Sequence, residues 1–290
     1  MVEAQIKKIG IFKCGNIGTS PIIELLLDEL ADRKDITVRT VTTGSKMGPD
    51  DVEDALPKIF ELNPDLLIVI SPNTSLPGPR KVREKISNSG LPGIVISDAP
   101  GKRVKEEIEN QGLGYIIITG DPLIGARKQF LDPVEMAIFN SNISKVLAIT
   151  GVYRIVQQEI DQAIYAIENG QKPDLPKTIV DLKVIRDRSE FNNPYAKAKS
   201  MAAYGLAEKI ADINVQACFM EKESEKYIPL VTCAHEIAQT AAKLAEEARE
   251  IEKSNDTVIR MPHSKSGKTK IKTKLMAKPV SNEELYDEKI

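Results

Sequence analysis

The chain has 290 residues and a mass of 32.0 kDa, about twice a typical domain, so two domains or one larger α/β domain with an added layer are expected. Forty Lys and Arg against 42 Asp and Glu leave a formal charge of -2, which offers no general attraction to nucleic acid phosphates. Hydrophobic residues make up 41% of the chain, yet no apolar run approaches the roughly 20 residues of a membrane span, which argues against both disorder and membrane crossing.

Cys14, Cys218 and Cys233 are widely spaced with no CxxC, which suits a reducing, cytoplasmic setting better than a disulfide framework or a zinc site. The apolar run at the N-terminus is too short for a secretory signal, so the start reads as mature protein. Tryptophan is absent and aromatics total 4%, which removes the usual stacking platform for single strands and sugars.

Five short β-branched runs open the chain: Ile6 to Phe12, Ile36 to Val41, Leu66 to Ser71, Gly93 to Ser97 and Tyr115 to Thr119. Between them, Pro21 to Arg33, Asp50 to Leu62, Pro79 to Ser87 and Lys102 to Gln111 carry apolar residues at helical spacing. This alternation predicts the α/β class with a doubly wound parallel sheet. After Asp121 the pattern turns helical, over Pro133 to Gly170, Pro194 to Ala211 and Ile228 to Ser254. Asp132 and Asn193 stand as N-caps before Pro133 and Pro194, and Gly170 as a stop. Thr178 to Leu182, Val215 to Met220 and Thr257 to Met261 are β-prone and are expected to pair into a small antiparallel sheet. From Pro262 the chain is basic and low in apolar residues, which predicts an extended, solvated tail.

In an open parallel sheet, ligands bind beyond the carboxyl ends of the strands. The first such loop, Lys13-Cys14-Gly15-Asn16-Ile17-Gly18-Thr19-Ser20, has two glycines and two hydroxyls ahead of a helix, the makings of an anion cradle. An ordinary βα turn that uses glycine for its geometry accounts for it equally well. The loop is neither GxGxxG nor GxxxxGK[ST], and Thr42 to Lys46 replace the ribose-binding carboxylate after the second strand, so NAD and ATP lose ground. Ser71, Asn73, Asp98 and Asp121 follow the later strands and could give a polar rim. The two aspartates suit the paired N–H groups of an aminopyrimidine, or a helix cap. Arg127 and Lys128 suit an anionic group, whereas Glu135 could serve a ligand or simply a helix dipole. His235 precedes a glutamate, but no second histidine completes HExxH, so no metal is expected. Cys14 reads as a small packing residue.

Phe12 to Thr19, Asp98 to Gly101, Gln111 to Ile116, Gly125 to Met136, Thr150 to Gln157, Asn193 to Ala196, Glu252 to Asp256, Arg260 and Pro262-His263 together resemble one family: the archaeal coenzyme F420-dependent methylenetetrahydromethanopterin dehydrogenases. The resemblance spans nearly the whole chain. It departs at Gln129, where the family is expected to carry Glu, and in a longer tail beyond Pro279. The resemblance implies an oxidoreductase of archaeal one-carbon metabolism, in methanogenesis or its reverse. Hydride would pass reversibly between methylenetetrahydromethanopterin and coenzyme F420, a dissociable cosubstrate, with no bound flavin and no side chain required as acid or base. It also implies a homohexamer, a trimer of dimers, with a cleft involving more than one subunit.

On this reading Lys13, Gly15, Asn16, Gly18, Thr19, Ser20, Ser71, Asn73 and Asp98 hold the F420 side, and Arg127, Lys128, Asp132, Glu135 and His235 the pterin side. The predicted organisation is a Rossmann-like α/β domain over 1–125, a helical bundle with a small β segment over 126–261 and a tail over 262–290. An NAD(P)-linked pterin dehydrogenase, or a non-catalytic α/β ligand-binding module, are the other readings.

Overall fold

The computed structural model describes residues 6–122 and 132–281. Six strands form one parallel sheet: β1 (Lys7–Lys13), β2 (Ile36–Thr42), β3 (Leu66–Ser71), β4 (Gly93–Asp98), β5 (Gly114–Ile118) and β6 (Lys177–Val180). Their spatial order is β2-β1-β3-β4-β5-β6. That is the doubly wound order 2-1-3-4-5 with one strand added, rather than the 3-2-1-4-5-6 order of dinucleotide-binding sheets.

Alternation along the strands divides the apolar residues between two layers. Leu67, Val69, Val95 and Ile117 pack with Val52, Leu56 and Ile59 of α2 (Pro49–Phe60), Val82 and Ile86 of α3 (Pro77–Ser89) and Ile108 of α4 (Lys105–Asn110). Ile68, Ile70, Ile96 and Ile118 point the other way. They pack with Ile23 and Leu27 of α1 (Ile23–Leu27), Phe139 and Ile143 of α5 (Pro133–Ile149) and Ile155 and Ile160 of α6 (Val152–Glu168). The first helix is much shorter than its apolar pattern predicts. The Arg33 guanidinium, held by Asp35 at 2.8 Å, donates to the Leu27 carbonyl and so takes over an acceptor that a further turn would use.

The predicted 133–170 helix is broken into α5 and α6, because Gly151 adopts φ +93° and turns the chain between them. Asp132 accepts from the Val134 and Glu135 N–H groups and Asn193 from those of Tyr195 and Ala196, so both N-caps form as the sequence implies. After α7 (Leu182–Arg188), α8 (Pro194–Val215) and α9 (Ser224–Ser254) form a long hairpin. Ala203 and Ala207 on one helix and Ala241, Ala242 and Ala245 on the other make up its dry seam, where small side chains let the two backbones approach closely.

Of the three segments expected in the small antiparallel sheet, only Thr257 to Met261 takes part, through Arg260. Lys177–Val180 pairs parallel with β5, because a strand returning from a helical crossover is best satisfied by extending the parallel ladder. Gln216–Met220 continues α8 as a π-helical turn. The antiparallel pair is β7 (Lys270–Ile271) with β8 (Val280–Ser281), extended by single bridges from Arg260 to Lys272 and from His263 to Thr269. Residues 262–281, expected as a solvated tail, are therefore strapped onto the sheet domain. His263 is buried between Glu29 and Asp161, and Lys34 N–H donates to the Lys265 carbonyl. No helix among the described residues is long and apolar enough to cross a membrane.

Candidate active site

The chain leaves β1 for an outer neighbour on one side, while β3 continues to β4 on the other, so the loops after β1 and β3 diverge at the carboxyl edge, the place where sheets of this order form a ligand crevice. Gly15 lies buried at this point with φ +84°. A Cβ there would lie 2.7 Å from Met47 Sδ and 2.9 Å from Pro72 Cδ, so only glycine lets the three loops meet. Ser71 is buried beneath, and its hydroxyl accepts from Asn73 N–H at 3.4 Å. Asn73 spends its carbonyl on Ser75, whose N–H donates at 3.1 Å. Asn16 is half-buried beside them. Burial pushes the Cys14 thiol up to about 11, so it stays protonated and is no nucleophile at neutral pH.

Lys13 and Asp98, both expected to touch a ligand, are held by the chain itself. Lys13 Nζ donates to Glu24 at 2.7 Å, and Thr40 adds a hydroxyl bond to the same carboxylate at 2.8 Å. Burial works to raise the Glu24 pKa, but Lys13, a backbone N–H and the Thr40 hydroxyl together prevail and hold it below the usual carboxylate value. Asp98 is buried and accepts from Ala99 N–H at 2.5 Å, capping the 3-10 turn Ala99–Val104.

The anion cradle read at Gly18, Thr19 and Ser20 exists, but the anion in it is the chain's own. Asp121, after β5, accepts from Gly18 N–H at 2.5 Å, from Thr19 N–H at 2.9 Å and from the Thr19 hydroxyl. Ser20 is turned inward and accepts from Ile17 N–H at 3.0 Å. The Gly18 and Thr19 donors are therefore spent on Asp121, which corrects the expectation that they meet a ligand anion. A tethered carboxylate outcompetes a free one because its ordering was met by folding. Asp121 is correspondingly not free for an aminopyrimidine ring. Burial pushes its carboxyl up to about 6, against the opposing pull of the Thr19 and Gly18 donors. The Gly18 carbonyl is held from behind by Tyr153 OH at 3.0 Å and Ser144 Oγ at 3.3 Å.

Glu135, Phe139 and Ile143 recur every four residues and so share one face of α5. Ile143 Cγ2 stands 2.7 Å from where a Gly18 Cβ would be, whereas Phe139 stacks on His235 with ring centroids 4.7 Å apart. Glu135 lies 3.9 Å from His235 Nδ1. Burial lowers the His235 pKa more than Glu135 and Glu236 raise it, so the imidazole is neutral near pH 7. Glu135 of α5 and His235 of α9, two of the predicted pterin-side residues, are thus brought together, with Glu135 about 12 Å along α5 from Ile143 at 1.5 Å per residue. Asp132 is spent as the α5 cap. Arg127 and Lys128 lie outside the described residues. A groove of about 750 Å³ between α1, α5 and α6 adjoins the loop, lined in part by Pro21, Asn140, Ser144 and Tyr153, a volume suited to an organic ligand.

Met47, Tyr153, Tyr204 and Glu208 escaped the sequence reading. Tyr204 OH accepts from Gly120 N–H at 3.1 Å, and Glu208 accepts from the Thr119 hydroxyl at 2.6 Å. Partners 84 and 89 residues apart leave no periodic or motif signal.

A family model described as methylene-5,6,7,8-tetrahydromethanopterin dehydrogenase matches residues 7–280. The F420-dependent methylenetetrahydromethanopterin dehydrogenase of Methanothermobacter thermautotrophicus is 57% identical over 275 residues, covering 95% of this chain and all of the relative. Those of Methanocaldococcus jannaschii and Archaeoglobus fulgidus are each 55% identical with the same coverage. A solved F420-dependent methylene-tetrahydromethanopterin dehydrogenase, in complex with methylene-tetrahydromethanopterin and coenzyme F420, superposes with a TM-score of 0.92. It is 47% identical, over 95% of this chain and 100% of that one. With nearly its whole length matched in sequence and in fold, the chain belongs to the methylenetetrahydromethanopterin dehydrogenase family.

Proposed function

We propose that the protein transfers hydride reversibly from 5,10-methylenetetrahydromethanopterin to oxidised coenzyme F420, giving methenyltetrahydromethanopterin and reduced F420. One observation carries this reading: the match, over 95% of the chain at 47% identity and a TM-score of 0.92, to an enzyme solved with both molecules.

The residues present fit such a pair. Coenzyme F420 is a deazaflavin without an adenosine half, and when bound it supplies a ring carbon that accepts hydride. Gly15 keeps the floor of the β1–β3 crevice at backbone height, Asn16 and Asn73 give it a polar rim, and the buried Ser71 supports Asn73 from beneath. No acidic residue ends β2 to take a ribose: Thr42, Thr43 and Gly44 stand there. We assign this crevice to F420. Lys13, Gly18, Thr19, Ser20 and Asp98 shape it from beneath. Glu135 and His235, with Arg127, Lys128 and the Asp132 cap, serve the pterin.

The chain's own task is placement and exclusion of water, since hydride moves directly between carbons. A protonated Cys14 and a neutral His235 add no competing charge. Cytoplasmic residence and assembly as a hexamer, a trimer of dimers, belong to the same reading. Exposed Phe219, Met220 and Tyr195 are apolar surface that such an assembly could cover.

Mixing the purified protein with methylenetetrahydromethanopterin and either F420 or NADP, and following the absorbance of each acceptor, tests the reading. Reduction of F420 alone is expected. Reduction of NADP alone, or of neither, overturns it.

Gly18→Val forces a side chain against Asp121 Oδ1 and Ile143 Cγ2, both 2.7 Å from the Cβ position. Overpacking there is expected to cost about 1–3 kcal/mol. The apparent KM for F420 should rise as the loop lifts. Thermal melting and steady-state kinetics report the two effects, and unchanged F420 kinetics in a folded variant would contradict the placement of this loop.

A further inference from the structure

The loop after β5 is fastened from two sides. From the helical half, Tyr204 OH accepts from Gly120 N–H and donates to the Val180 carbonyl at 2.6 Å, while Glu208 takes the Thr119 hydroxyl. From the sheet half, one residue further on, Asp121 gathers both backbone N–H groups of the Gly18-Thr19 pair and the Thr19 hydroxyl. Gly18 is thereby held at both ends, with its N–H on Asp121 and its carbonyl on Tyr153 of α6 and Ser144 of α5.

Asp121 is fully buried, and no basic side chain among the described residues is paired with it. Burying a lone carboxylate works against stability. What it gives in return is direction: two oxygens accepting from consecutive N–H groups orient both peptide planes at once, which an apolar plug cannot do. Charge-assisted bonds of this kind suit a loop whose position matters to within an ångström.

We infer that Asp121 is a positioning residue for the hydride transfer. It locks the β1 loop, on the F420 side, to the end of β5, while the Gly18 carbonyl ties the same loop to α5, which carries Glu135 on the pterin side, and so it sets the separation of the two bound molecules. The inference rests on the function proposed above. Asp121 touches neither molecule on this account; it acts through Gly18 and Thr19.

The test compares full-length Asp121→Asn and Thr19→Val with the wild type. The amide variant keeps the shape but turns an N–H group toward a donor, and the valine removes a single hydroxyl bond. Steady-state kinetics would be run with methylenetetrahydromethanopterin and F420, and with substrate deuterated at the methylene carbon. Hydrogen exchange of residues 15–22 would be followed in the protein alone.

Asp121→Asn is expected to remain folded, to lose about 10- to 100-fold in kcat, with KM for each substrate within about 3-fold, and to show a larger isotope effect. Its loop amides should exchange at least about 10-fold faster, with the core strands unchanged, and Thr19→Val should move the same way by about 3- to 10-fold. Should Asp121→Asn fail to fold, Thr19→Val carries the test. Wild-type kcat and isotope effect in folded variants, or a rise in KM alone, would overturn the inference while leaving the proposed function standing. A wild type that does not reduce F420 would overturn both.

Discussion

Gly78→Ala is expected to disturb the site from outside it. Gly78 is the second residue of α3, and a Cβ there would lie well inside contact of the Met47 carbonyl oxygen, 3.0 Å from its carbon and 3.1 Å from the Gly48 oxygen. All three obstacles are backbone atoms, so no rotamer change relieves them and the β2–α2 loop must move as a unit. Met47, at the end of that loop, closes on Gly15 and Ser71 at the floor of the crevice. A single methyl group on α3 should therefore reach the F420 side.

The expected cost is about 1–3 kcal/mol of stability. That corresponds to a melting point lower by roughly 2–4 °C per kcal/mol, with kcat/KM reduced about 10-fold or more. Gly205→Ala is the control. It lies inside α8 with nothing within 4 Å of the Cβ position, so alanine should leave activity alone and raise stability by up to about 1 kcal/mol. Equal melting points and activities for the two variants would refute the argument.

His263→Gln should release the C-terminal strap, and do so in a pH-dependent way. The ring is fully enclosed, with Nδ1 2.8 Å from Glu29 and Nε2 2.9 Å from Asp161, so both nitrogens donate and the imidazole is charged. Glu29 follows α1, while Asp161 and Gln157 belong to α6. The Gln157 amide nitrogen is 3.2 Å from Nε2, and the Arg33 cation also faces the group. Burial and Arg33 lower the His263 pKa, but the two carboxylates prevail and raise it above the ordinary histidine value.

The unfolded chain releases this proton near pH 6.5, whereas the folded chain keeps it to higher pH. The contribution is thus fully present below about 6.5 and is lost as pH rises through the raised folded value. The variant leaves two carboxylates facing each other without their cation, at a cost of about 3 kcal/mol near pH 6. Urea unfolding from pH 5.5 to 9 should show the gap between wild type and variant narrowing with pH. A gap that stays constant or widens would show that the charge is not what holds the strap.

Local physics made much of the molecule readable from the chain. The β-branched run Leu66 to Ser71 is β3 residue for residue, and Asp132 and Asn193 cap the helices that open at Pro133 and Pro194. The blocks from Phe12 to His263 pointed to the family that the comparisons show. Strand propensity, capping and the restricted φ of proline act over a few residues, so neighbours in sequence suffice to decide them.

Partner choice was decided in three dimensions. A loop N–H needs an acceptor, but nothing near Gly18 says that it is Asp121, 103 residues away, rather than a ligand phosphate. Lys13 looked like a ligand cation and is paired with Glu24, whose distance from it depends on how α1 lies over the sheet. The tail looked solvated because its charges outnumber its apolar groups, until His263 found Glu29 and Asp161 on two different elements. Hydrogen bonds and ion pairs go to whatever stands within about 3 Å after the backbone has folded, and chain order does not encode that proximity.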